Sequence, residues 1–187
     1  IASSAAGDIY VAESDIVEIF NLDAADTQGD IIVTSGDMTI SGSVVAGNSI
    51  SLTASKPSQD AVINQTGGTL HVTKLDGTGI LQLTQDVDLD IQGYSFTNQS
   101  NTNLVLDSVY GSVFVDWTNP ANAADQWNSI GAFAQGNIDL RGNDIPLITL
   151  SEVLSDSGDI TVYSYNSGIN ITDQVSSPAG TIIIAAI

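Results

Sequence analysis

Residues 29–55 read GDIIVTSGDMTISGSVVAGNSISLTAS, and this stretch decides the fold. A short unit recurs in it: a glycine, a small polar residue, and then two apolar residues separated by any residue. Gly29-Asp30-Ile31-Ile32-Val33 and Gly36-Asp37-Met38-Thr39-Ile40 are two clear copies. Glycine adopts turn conformations that other residues avoid, and apolar residues at every second position place one face of a strand inward. Each copy therefore predicts a turn that leads into a short strand.

The same unit occurs along most of the chain. Further copies begin at Gly7, Gly47, Gly68, Gly79, Gly111, Gly136, Gly158, Gly168 and Gly180. Spacings between several of the copies cluster near 20 residues, such as 22 from Gly7 to Gly29 and 22 from Gly136 to Gly158, and additional copies lie roughly halfway between them. Repetition near this period is typical of a solenoid, and two or three short strands per coil indicate a parallel β-helix. We therefore expect one β-solenoid domain over residues 1–187, with about nine coils of ~20 residues.

The composition agrees with an all-β fold. Ile and Val together number 37 against 13 Leu, and β-branched side chains suit a pleated strand better than a helix. Short strands separated by frequent turns are also typical of a β-sandwich or jelly roll, which is the alternative architecture. The recurrence of one unit with the same turn residue favours the solenoid, because a sandwich need not repeat itself.

The stretch from Gly29 to Ser55 resembles the filamentous-haemagglutinin type of repeat in large secreted bacterial surface proteins. The resemblance extends more weakly over residues 136–187 and is poor between residues 84 and 135. Proteins of this kind are right-handed parallel β-helices that are exported as long rods for adhesion or matrix building. The resemblance implies the same handedness here and a shaft segment, since no stretch is assigned to the secretion domain of such proteins.

Two segments interrupt the repeat. Residues 56–67 are predicted to form a loop that closes one group of repeats. Residues 116–135 are predicted to form an irregular or helical excursion, because Pro120 suits the first turn of a helix and several alanines follow it.

Charge and residue usage exclude several classes of protein. The 22 acidic residues face 3 basic ones, giving a net charge of −19, so a partner that carries phosphates, such as a nucleic acid, is not expected. The absence of cysteine excludes disulfides and thiolate metal sites. No apolar run reaches the ~20 residues that span a bilayer. Because so acidic a surface needs counterions, we expect an extracellular location.

One acidic row is a candidate metal site. Asp86, Asp88 and Asp90 alternate with Val87, Leu89 and Ile91, so in a strand the three carboxylates would share the outer face while the apolar residues line the core. Like charges on one face repel, and a hard cation with oxygen ligands, calcium, would relieve the repulsion. The alternative is a solvated outer face without a cation.

A second candidate is a glycan-binding patch. Trp117 and Trp127, with Asp116 and Asp125, form an aromatic and acidic cluster in the predicted excursion. Indole rings stack on sugar faces, although both rings could instead pack the excursion onto the coils. A polysaccharide lyase is not expected, because Arg141 is the sole arginine and an acidic wall would repel a uronate substrate. We expect no enzymatic activity.

The end of the sequence is a candidate assembly site. Gly180, Thr181, Ile182, Ile183 and Ile184 repeat the unit and lead into an apolar run. Exposed solenoid ends pair readily with further strands, so this strand is expected to pair with a following coil or with another copy. We hypothesise a non-enzymatic extracellular structural or adhesive protein, a segment of a cell-surface adhesin or filament. The alternatives are a self-assembling subunit of a filament, sheath or surface layer, with this chain as its own partner, and a carbohydrate-binding or carbohydrate-active β-helix that contacts host or cell-surface glycans.

Overall fold

The computed structural model describes residues 2–3, 7–25, 28–97, 102–117, 127–143 and 147–187. Nearly all regular structure in these ranges is β-strand, and the one helical segment among them is a 3₁₀ turn at Ile91–Gly93. The strands in chain order are β1 (Ala2–Ser3), β2 (Ile9–Ala12), β3 (Ile16–Ile19), β4 (Leu22–Ala24), β5 (Asp30–Ser35), β6 (Asp37–Ile40), β7 (Val44–Ala46), β8 (Ser49–Ala54), β9 (Ile63–Gln65), β10 (Leu70–Val72), β11 (Gly79–Gln85), β12 (Leu89–Asp90), β13 (Phe96–Thr97), β14 (Thr102–Ser108), β15 (Val113–Trp117), β16 (Ser129–Ala134), β17 (Ile138–Asn143), β18 (Leu147–Ser155), β19 (Ile160–Tyr165), β20 (Gly168–Ile171), β21 (Val175–Ser176) and β22 (Ile182–Ala186).

The strands pair in four parallel sheets. Sheet A has the order β1-β4-β7-β10-β13, sheet B has β2-β5-β8-β11-β14-β16-β18-β20 with β21 also on β18, sheet C has β3-β6-β9, and sheet D has β12-β15-β17-β19-β22. Every observed pair joins strands of successive coils in parallel. This pattern confirms the all-β solenoid and excludes the sandwich, because sandwiches are built from antiparallel strands.

The solenoid has about seven turns rather than nine. In sheet B the inward residues are linked by register from Ile9 at one end to Ile171 at the other. One step covers 19 residues, from Ile31 to Ile50, but the next covers 31, from Ile50 to Leu81. Coil length therefore varies with the loops at the corners, and a count from a uniform period overestimates the number of coils.

The core is a column of inward side chains from successive coils. Ile31, Ile50, Leu81 and Leu104 lie above one another in sheet B, and each is at most 1% exposed. The alternate residues on these strands face out, as the period of two requires. The apolar positions of the repeated unit therefore form the core, as the sequence predicts.

Strands lie within both of the predicted interruptions. The segment 56–67 contains a loop, but Ile63–Gln65 forms β9 and pairs with β6. The segment 116–135 begins at the end of β15 and finishes in β16, which pairs with β14 and β18. Strand pairing with neighbouring coils replaces the expected irregular or helical structure at both ends of this segment, and its middle, residues 118–126, lies outside the described residues.

Candidate functional site

The last coil presents the end of the core column to solvent. Ile182 and Ile184 of β22 are in register with Ile160 and Val162 of β19. Ile160 and Val162 are fully buried, whereas Ile182 and Ile184 are 41% and 37% exposed. Since these positions face the core in the coil below, the exposed apolar area of β22 is core-facing surface that no other coil among the described residues covers. The predicted strand at the end of the chain is confirmed, and its role in assembly stays a prediction.

A ladder of polar side chains links the corners that lead into sheet D. Each side chain accepts a hydrogen bond from the backbone N–H of the equivalent residue one coil later. The four bonds are Ser112 N to Asp88 Oδ1 at 2.7 Å, Asn137 N to Ser112 Oγ at 3.0 Å, Asp159 N to Asn137 Oδ1 at 2.8 Å and Thr181 N to Asp159 Oδ1 at 2.7 Å. These N–H groups lie at corners, outside the strand pairing, and leaving such a group without a hydrogen bond would cost free energy. The small polar residue of the repeated unit is therefore a stacking residue.

Glycines pack directly on glycines at the same corners. A Cβ atom at Gly158 would lie 2.3 Å from the carbonyl carbon of Gly136, and one at Gly180 would lie 2.1 Å from the carbonyl oxygen of Gly158. Both contacts are far closer than real Cβ atoms approach backbone, so the close spacing of the coils requires glycine here. Ser155 completes the corner, since its Oγ donates to Gly136 O at 2.7 Å and accepts from Gly158 N at 2.9 Å.

The predicted acidic row does not lie on one strand. β11 ends at Gln85 and β12 begins at Leu89, so a corner separates Asp86 from Asp90 and interrupts the alternation. Asp86 is fully buried instead of facing out. The expectation of three carboxylates on one outer face is therefore wrong, because a turn falls where the pattern predicts a continuous strand.

Each carboxylate of that row has a structural partner. Asp86 Oδ2 accepts the backbone N–H groups of Lys56 and Ala61 at 2.8 and 3.2 Å, which ties the loop at 56–61 to the next coil. Asp88 belongs to the corner ladder, and Asp90 Oδ1 accepts Gln92 N at 3.0 Å and caps the 3₁₀ turn. Across the described ranges no cluster of three or more His, Cys, Asp or Glu side chains is arranged to hold a metal ion. Calcium binding stays a prediction.

The two tryptophans do not form an exposed pair of rings. Trp127 is 8% exposed, and its ring packs edge-on against Phe96 with centroids 5.2 Å apart. The expectation that Trp127 offers its ring face to a glycan is therefore not met, because the indole packs against the end of sheet A. Trp117 ends β15, where its backbone pairs with Gly142, and its side chain and Asp125 lie outside the described residues.

Comparison with protein-family models, with curated proteins and with solved structures finds no match to this chain. Within the residues that the structure describes, no helix is long and apolar enough to cross a bilayer.

Proposed function

We propose that this chain is a non-enzymatic structural or adhesive segment of an extracellular β-solenoid rod, in which a further parallel coil covers β22. The observation that carries the proposal is the exposure of Ile182 and Ile184 at positions whose counterparts one coil below are fully buried. Burial of apolar surface stabilises by about 25 cal/mol per Å². Packing of a further coil on β22 would therefore contribute about as much stabilising free energy as the packing of β22 on β19.

The backbone of β22 supports the same proposal. Strand β22 pairs with β19 on one side and with no other strand among the described residues. Natural proteins protect such edges with charged side chains or prolines. Residues 166–187 contain one acidic residue, Asp173, and no basic residue, and their one proline, Pro178, precedes β22 rather than lying within it. The last coil thus lacks the charges that ordinarily prevent an edge from pairing with another strand.

The opposite end of the stack has a different character. Residues 7–25 contain five acidic residues and no basic one: Asp8, Glu13, Asp15, Glu18 and Asp23. Two such ends would repel each other, whereas a head-to-tail contact places an acidic coil on an almost uncharged one. This asymmetry favours head-to-tail stacking and supports the second version of the proposal, a self-assembling filament subunit.

Two features support an extracellular location. A net charge of −19 needs salt or divalent cations to relieve its self-repulsion. The stretch 29–55 resembles repeats of large secreted bacterial surface proteins, and the alternating apolar residues of its units are buried in the coils: Ile31, Val33, Met38, Ile40, Ile50 and Leu52.

The experiment compares inward and outward residues of the same strand. We expect the wild-type chain to associate with increasing concentration in sedimentation velocity, and the double variant Ile182→Asn/Ile184→Asn to lose this association. The matched control is Ile183→Asn, since Ile183 is outward in β22 and similarly exposed at 44%. The control should retain most of the association, because Ile182 and Ile184 would enter the core under a covering coil, whereas the outward Ile183 would contact only a neighbouring side chain on the surface of the sheet.

Two outcomes would contradict the proposal. One is a wild-type chain that stays monomeric at all concentrations up to millimolar. The other is equal loss of association in the control and the double variant, which would indicate contact through the outer face of sheet D rather than coil stacking.

A further inference from the structure

The outer face of sheet D contains a cleft that the stacking proposal does not use. Its volume is about 220 Å³, and Asp90, Gln92, Phe114, Asp116, Asp139 and Arg141 line it. Strand register places Asp90, Phe114 and Asp139 in one row across β12, β15 and β17. The second row contains Asp116 and Arg141. The alternate residues of the same strands fill the core, so these side chains lie on the outer surface.

Arg141 and Asp139 form a fixed pair in this cleft. Arg141 Nε donates to Asp139 Oδ1 at 2.8 Å, and Nη2 donates to Asp139 Oδ2, which is a two-point contact between planar groups. The hydrogen bond with Asp139 and the charge of that carboxylate raise the pKa of Arg141, and the nearby carboxylate of Asp116 acts in the same direction. A guanidinium has five N–H donors. Because the side chain of Arg141 is 47% exposed, its other donors are accessible from solvent.

Aromatic rings flank the pair. Phe114 is 37% exposed and is the register neighbour of Asp139 on β15. On the other side Tyr163 is the register neighbour of Arg141 on β19, and it stacks on Tyr165 with centroids 6.2 Å apart and ring planes at 28°. The rings and the ion pair thus lie on adjacent strands of one parallel sheet, and the strand spacing keeps them at a fixed separation.

We propose that this cleft binds a neutral oligosaccharide. A sugar ring offers hydroxyl groups, which need both donors and acceptors, and apolar C–H faces, which pack on aromatic rings. The cleft supplies donors from Arg141, acceptors from Asp90 and Asp139, and an exposed ring from Phe114. Acidic sugars are excluded, because the cleft has three carboxylates and one cation on a chain of net charge −19. Such a site would give an adhesive rod a ligand, and it is independent of coil stacking.

The test is isothermal titration calorimetry of the full chain with three neutral probes, cellohexaose, xylohexaose and mannohexaose, and with spermidine as a cationic probe. We expect at least one hexaose to bind, and Arg141→Gln to weaken that binding by about tenfold, the effect of losing a charged hydrogen bond. Phe114→Ala should weaken it as well, because the apolar contact is lost.

Matched controls exist for both variants. Lys74→Gln removes the same charge from a different cleft, one of about 730 Å³ that also includes Asn48 and Asp76, and Tyr10→Ala removes an exposed outward ring from β2. Neither control should change the affinity. The proposal is overturned if no hexaose binds, if spermidine binds while the hexaoses do not, or if the controls weaken binding as much as Arg141→Gln and Phe114→Ala do.

Discussion

Two copies of the same five-residue unit lie one above the other in adjacent coils. Gly158-Asp159-Ile160-Thr161-Val162 is covered by the next coil, whereas no coil among the described residues covers Gly180-Thr181-Ile182-Ile183-Ile184. Their backbones pair in register, and both have apolar residues at the third and fifth positions. In the first copy Ile160 and Val162 are fully buried, whereas in the second copy Ile182 and Ile184 are about two-fifths exposed. The difference shows that burial in a solenoid depends on the neighbouring coil rather than on the unit itself.

Substitutions at the core positions should give the largest difference in stability between the two copies. Ile160→Ala leaves a cavity between two coils, so we expect a loss of about 3 kcal/mol in the free energy of unfolding. Ile182→Ala removes a side chain that solvent already reaches, and the loss should be about 1 kcal/mol. Urea unfolding of the two variants at low protein concentration measures both values. Equal losses would mean that the end coil is covered in solution.

Substitutions of the corner glycines should give a smaller difference in stability between the two copies. Gly158→Ala places a methyl group against the backbone of Gly136, and the coil above it prevents the chain from moving away. We expect a cost of about 2 kcal/mol, typical of overpacking. Gly180→Ala meets the backbone of Gly158 just as closely, but the last coil can lift toward solvent, so its cost should be about half as large.

Thermal unfolding followed by circular dichroism checks this order, and Gly168→Ala serves as a control. A Cβ atom at Gly168 would have only Leu147 Cδ1 within 4 Å, at 3.1 Å, and a flexible side chain can move away. A Gly180→Ala variant that is as unstable as Gly158→Ala would contradict the idea that the last coil is free to lift.

The repeated unit predicts the strands and the core well, because both follow from local alternation. The apolar residues Ile31 and Val33 of the unit that begins at Gly29 are predicted to face inward, and both are 0% exposed. Strand β22 is predictable in the same way, because Gly180-Thr181-Ile182-Ile183-Ile184 repeats the unit. Each of these inferences uses only residues within one coil.

The corners were not predictable in the same way, because they depend on contacts between coils. Asp86 is buried since it binds N–H groups of Lys56 and Ala61, which are 30 and 25 residues away in sequence. Trp127 is buried against Phe96, which belongs to an earlier coil. The cleft on sheet D likewise combines residues from three strands and from the 3₁₀ turn. The polar residue after each glycine is a signal for the side-chain ladder in the sequence. The hydrogen bonds of the ladder could not be predicted from it, because they depend on the register between successive coils.

The smallest expected effect is a difference in pH dependence between two corners, one bonded through a carboxylate and one through a hydroxyl group. Asp37, in the unit that begins at Gly36, bonds to Lys56 Nζ and accepts Val62 N at 3.2 Å. The corner at Gly158 is closed by the hydroxyl of Ser155, which does not titrate in this range. The hydrogen bond from Lys56 lowers the pKa of Asp37 against the opposing effect of burial. The two corners should therefore respond differently to acid.

The lowered pKa of Asp37 sets the direction in which stability changes with pH. A carboxyl whose pKa is lower in the folded state stabilises the fold above its unfolded pKa of about 3.9, and this contribution is lost as the pH falls through the folded value. Lys56→Met should therefore have a lower Tm than the wild type at pH 6, and the gap should shrink below about pH 4. Ser155→Ala should lower the Tm by the same amount at every pH. Melting curves between pH 6 and pH 2 test both statements, and a constant gap for Lys56→Met would show that its aliphatic chain, rather than its charge, holds the corner.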